Sequence, residues 1–168
     1  MMIPPPDDTK TEPTISEIAL SARTRNLIAV IASMVIANLV YGLTSPLLSL
    51  VLDGQGISKP VIGLRIVAQA SAGVLLAPMI PRLILRTGAA RVMKQATLLA
   101  AATLIALGLV QNVYAWFPMR FLLGAAAAML WSASEIVINE LADDDWRGRI
   151  IGIYGSAGAA GFALGPLV

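Results

Sequence analysis

Apolar residues gather into five long runs along the chain, at residues 27–52, 60–80, 92–110, 117–138 and 150–168, and the charged residues collect between them. At about 1.5 Å per helical residue, a run of about 20 residues crosses a hydrocarbon core about 30 Å thick. In lipid only a helix or a closed barrel satisfies its own backbone, and runs of this length read as helices. The pattern predicts an all-α membrane protein with five transmembrane helices in a bundle over residues 27–168.

The intervals between the runs read as surface. Residues 1–26 are polar and carry Pro4, Pro5, Pro6 and Pro13. They bury too little apolar area to fold alone, so a disordered tail is expected, with a helical turn or two near residues 15–22. Residues 53–59 and 111–116 are short turns, the second with Tyr114 and Trp116 placed as interface aromatics. Residues 81–94, PRLILRTGAARVMK, hold Arg82, Arg86, Arg91 and Lys94 around Gly88 and read as a basic tether. Residues 139–149 contain Asp143, Asp144, Asp145, Arg147 and Arg149 and read as a solvated cap.

Charge then orients the chain. Residues 1–26, 81–94 and 139–149 together hold nine Lys and Arg, whereas the two other turns hold only Lys59. The positive-inside rule therefore makes the N-terminus cytoplasmic.

Composition agrees, with 57% hydrophobic residues, 13% charged residues and a mean hydropathy of +0.78. The net charge of +2 sits beside apolar runs, as topology signals next to anionic lipid do, and does not suggest nucleic acid. With no Cys there are no disulfides or thiolate metal sites, and with no His the commonest general base and metal ligand is missing. An intramembrane enzyme is a poor fit, and no cofactor or metal is expected.

Several stretches resemble the N-terminal half of a major facilitator superfamily transporter. That family's loop after span two follows Gly-x-x-x-Asp-Arg/Lys-x-Gly and then basic residues; here Arg86, Gly88 and Arg91 match, while Pro81 and Leu85 stand in the places of the first Gly and the Asp. YGLTSPLLSLVL, with Tyr41, Gly42, Pro46 and Leu47, looks like the family's first span. RFLLGAAAAM, with Arg120 and Gly124, looks like the start of its fourth, and GFALGPLV, with Gly161, Gly165 and Pro166, like the front of a Gly-Pro pattern in its fifth. The resemblance implies a partial six-helix bundle, truncated in the fifth span, from a twelve-span protein built of two halves. It also implies a small-molecule substrate, a lipid bilayer, a missing C-terminal half as partner, and multi-pass insertion in the plasma or inner membrane. The expectation is the N-terminal part of a secondary active transporter working by alternating access, with proton coupling as one option. The alternative is a non-transporting five-span interaction protein or remnant.

Within the spans, Asn38, Tyr41, Ser45 and Ser49 recur on one stripe, which either lines a cavity or hydrogen-bonds to neighbouring helices. Pro46 is expected to bend or locally break its helix. Arg65 and Gln69, four apart, share a face. Arg65 with Arg120 places two cations in the outer third, which would suit an anionic substrate; the blander expectation, favoured for Arg65, is that it extends to the outer interface. Glu135 carries a carboxylate at an insertion cost of at least about 2.5 kcal/mol, so it should face the bundle interior. It is a candidate proton-coupling residue or, equally, a gate ion pair with Arg86 or Arg147. Should Arg86 be held by an acid, Glu135 or Glu140 is the expected partner. Trp131, one turn before Glu135, could line the cavity or simply pack. Gly148, Gly152, Ser156 and Ala160, and separately Ala157, Gly161 and Gly165, repeat every four positions and predict two close-packing faces on span five.

Overall fold

The computed structural model describes residues 15–110, 112, 114–142 and 144–167, with side chains from residue 21 onward. The described residues form six helices and no strand: α1 (Ile15–Gly54), α2 (Lys59–Leu76), α3 (Ile80–Thr87), α4 (Ala89–Leu109), α5 (Trp116–Leu141) and α6 (Asp144–Leu164), the last running into a 3-10 turn at Gly165–Leu167. Five of them, all but α3, are long and apolar enough to cross a membrane.

The expected tail falls largely on residues 1–14, outside the described residues. From Ile15 the chain is already helical and continuous with the first span, so α1 is 40 residues long. At about 60 Å it is twice the hydrocarbon thickness and must project from the membrane. Arg23, in this extension, donates Nε to the carbonyl of Leu141 at 2.5 Å. Leu141 ends α5, where unpaired carbonyls and the negative end of the helix dipole favour a cation. Helix α1 also runs unbroken through Pro46, contrary to a local break there.

The basic tether is not an open loop. Pro81 stands in the first turn of α3, where its missing N–H costs nothing, and Ile80 and Ile84, one turn apart, are buried while Arg82, Leu85 and Arg86 face out. Gly88, at φ +88, closes α3 and starts α4 at once. A side chain there would meet open space but a strained backbone, which is why this position suits Gly. The acidic segment is shorter than expected as well, because α5 extends to Leu141 and α6 begins at Asp144. Asp144 and Asp145 occupy the first turn of α6, where negative charge is favoured, and Asp144 pairs with Arg147 at 2.8 Å on the surface. Asp143 lies outside the described residues.

Helix α5 is central, packed against α4, α2 and α1, and α1 packs along α6. An outer core unites Leu48, Leu52, Leu107, Trp116 and Leu123. Two inner cores lie toward the cytoplasm, one of Val30, Met34, Ile138 and Tyr154, the other of Ile80, Ile84, Val92 and Ala133. Large apolar side chains such as Leu50, Val74, Leu98 and Leu109 remain exposed, as a lipid-facing surface requires. Lipid leaves helices little hydrophobic reason to associate, so close backbone approach at small residues does the packing. Methyl groups added at Gly42, Gly161 or Gly165 would run into the backbone of the facing helix in the α1/α6 seam, at Phe162, Val35 and Leu43 respectively. One added at Gly124 would overlap the carbonyl of Gln69 in the α2/α5 seam. Of the two small-residue faces expected on span five, only that of Gly161 and Gly165 is packed. Gly148 and Gly152 meet nothing, and Ser156, Ala160 and Pro166 are exposed.

Candidate functional site

Polar residues of α1, α2 and α5 come together around a pair of arginines. Arg120 lies one turn inside the start of α5 and Arg65 a turn and a half inside the start of α2, and because these helices run parallel the two residues come to a similar depth. They stand within electrostatic reach of each other and are only 2% and 3% exposed, Arg65 being the lower. Arg120 donates Nη1 to Oε1 of Gln69 at 2.6 Å, and Tyr41 of α1 faces both residues. The Arg65 guanidinium lies over the ring of Trp116, 5.1 Å from its centroid, and Trp116 donates its indole N–H to the carbonyl of Val110.

Arg65 therefore does not reach for the outer interface. It has an aromatic face inside the bundle to lie on, and a cation–π contact of this kind strengthens when water is excluded. Arg65 Nε and Nη1 and Arg120 Nε are buried without a hydrogen-bond partner, and among the described residues no carboxylate is within ion-pair distance of either side chain. An arginine in the middle of a membrane helix costs about 2.5–3.5 kcal/mol on insertion scales. Two together without an acid amount to a concentrated, uncompensated positive charge.

Further in, Asn38, Tyr41 and Trp131 line a cavity of about 200 Å³ with Met34, Leu130 and Phe162. Asn38 and Ser49, however, turn their side chains back on their own helix, to the carbonyls of Met34 at 2.9 Å and Ser45 at 3.0 Å. The expected bonds from this stripe to neighbouring helices are not what these two residues make, because a carbonyl one turn back is nearer than any facing helix. Ser45 is half-buried and contributes its carbonyl.

At the inner end Glu135 is exposed on the uncovered face of α5, and Trp131 donates its indole N–H to Oε1 at 2.7 Å. Trp131 also meets Tyr154 of α6 edge-on, ring centroids 6.3 Å apart. Beneath them Ser134 Oγ and the Tyr154 hydroxyl lie together, buried and without partners at hydrogen-bonding geometry. One carboxylate oxygen of Glu135 is thus held, and the other has no partner among the described residues.

Among the described residues, no ion pair joins Arg86 to Glu135 or Glu140, so the expected latch is not formed. Arg86 lies with Leu76, Met79 and Met129 around a groove. Met129 and Glu135 are six residues apart, about 120° around α5, so a side chain on the first side does not meet the second. Arg147 is taken by Asp144 instead. Glu140 and Arg91 are exposed at the cytoplasmic end.

Sequence reading paired Arg65 with Gln69 on one face but missed both the Gln69–Arg120 bond and the Trp116 platform. A signal existed, since Trp116 and Arg120 are one turn apart and so share a face. A multi-span bundle of long apolar helices with a few buried polar side chains defines an integral membrane protein. The Major Facilitator Superfamily model matches residues 30–168, and the chain belongs to that family.

Among curated relatives, an uncharacterized MFS-type transporter of Bacillus subtilis (strain 168), YfkF, is 24% identical over 127 residues, which is 76% of this chain and 32% of that protein. An uncharacterized MFS-type transporter of Enterobacter sp. (strain 638) is 24% identical over 149 residues, 89% of this chain and 39% of that protein. The chain thus spans between about a third and two fifths of the length of the relatives it matches. No solved structure matches it.

Proposed function

We propose that this chain works as the N-terminal part of a secondary active transporter that moves a small solute across the cell membrane by alternating access, with Glu135 as its proton-coupling carboxylate. The supporting observation is Glu135 itself, on an uncovered face of α5 without a cation partner among the described residues, one oxygen fixed by Trp131. A carboxylate in that position carries its charge when water reaches it and takes a proton when a second helical half closes over it, because burial disfavours the charged form. Coupling of this kind needs the proton-bearing atom to change exposure between states, which a rigid movement of two halves provides.

The test uses the full-length protein expressed in cells and a panel of labelled small solutes. At least one solute should accumulate against its gradient and lose that accumulation when a protonophore is added. Glu135→Gln should abolish the uphill accumulation and leave solute exchange intact. Accumulation equal to that of the unsubstituted protein would remove Glu135 from coupling, and a panel with no solute affected would overturn the transport reading.

A further inference from the structure

We propose that Arg65 and Arg120 form an anion site in the outer third of the bundle, one that takes a carboxylate or similar oxyanion group. As a substrate site it rests on the transport reading above; as a binding site it stands on the geometry alone. Both side chains are more than nine-tenths buried, yet Arg65 Nε and Nη1 and Arg120 Nε have no partner among the described residues. A guanidinium presents its N–H groups in the plane of the ion and its apolar faces above and below. Trp116 covers one face of Arg65 and leaves the edge uncommitted, since a ring cannot accept in-plane N–H bonds at that position. Gln69 satisfies one nitrogen of Arg120 and carries no charge.

What remains is a pair of cationic edges with no counter-ion among the described residues. The groups facing them from the packed helices are Tyr41 of α1, Gln69 of α2 and Trp116 of α5, none of them an acid. Glu135, on the same helix as Arg120, is about 22 Å away along the axis and cannot serve. An oxyanion fits for a geometric reason as well, because the planar fork of each guanidinium matches two oxygens on one centre. Gly124 keeps the site together: only without a side chain there can α5 come close enough to α2 for Arg120 to reach Gln69.

The experiment is a titration of the purified full-length protein in detergent, at constant ionic strength, with sodium acetate, sodium sulfate and sodium chloride in separate arms. Binding is followed by calorimetry and by tryptophan fluorescence, with Trp116→Phe identifying the reporter. Acetate or sulfate should bind saturably, with the fluorescence change lost in W116F, and Arg65→Gln and Arg120→Gln should each weaken binding by about tenfold. Arg65 makes no hydrogen bond whose loss would unfold the helix pair, so R65Q keeps the test valid if R120Q is unstable. No saturable response, or one equal across the three salts and unchanged by R65Q, would overturn the site. Saturable oxyanion binding by a protein that accumulates no solute would overturn the transport reading and leave the site standing; transport without oxyanion binding would do the reverse.

Discussion

The outer and inner ends of the bundle hold charge in opposite ways. Outside, two arginines are buried to within a few percent of completely, with an amide and an aromatic ring for company. Inside, one carboxylate stands exposed with a single indole N–H holding it. A buried, unpaired charge lowers stability wherever it sits, so its presence points to a ligand or a step that needs it. An exposed one escapes that penalty where water reaches it and incurs it when something covers it. The first arrangement suits holding an ion, the second suits letting one go.

The comparison breaks most readily at the seam that creates the outer site. Gly124→Val sets a branched side chain against the Gln69 backbone. Overpacking of this kind costs about 1–3 kcal/mol and more when backbone must move. The variant should show the largest fall in thermal stability in detergent, while Gly148→Val, facing open space, should melt like the unsubstituted protein. Equal melting of both would mean that α2 and α5 are not in the close contact described.

A smaller effect of opposite sign sharpens it. Arg65→Met removes the unpaired charge and keeps much of the volume, and replacing buried charge by apolar groups tends to be neutral or stabilising, by about 1–4 kcal/mol. A variant that melts higher and no longer binds acetate would show charge retained against stability. One that melts lower would mean that the Trp116 contact is chiefly structural. Least of all should come from Arg147→Ala, whose pair with Asp144 is on the surface: a change within about 0.5 kcal/mol is expected, and a larger one would give the cytoplasmic end an energetic role it lacks here.

The five spans were legible because they follow from a local quantity, run length. Glu135 and Arg120 were legible as exceptional because charge inside an apolar run is costly wherever the run ends up. Helix α3 was hidden by its charge: Arg82 and Arg86 suggest a loop, while the one-turn spacing of Ile80 and Ile84 that makes it a helix is only two residues strong. The cation pair was half legible. Its depth follows from counting along α2 and α5, whereas its burial depends on Trp116, distant in sequence from Arg65. Among the described residues Arg86 makes no ion pair with Glu135 or Glu140; it lies near Met129, on a different side of α5 from Glu135.

Sequence alone determined that this chain lies in a membrane, where its five membrane-crossing helices run and which few residues are costly to place there. These depend on transfer free energies that act residue by residue. Tertiary structure decided which small-residue face of α6 is packed, which arginines are buried near each other and which acid is left uncovered. Those depend on how one helix is rotated and shifted against another, which is set by where backbones approach at Gly124, Gly161 and Gly165, and one-dimensional spacing does not carry that rotation.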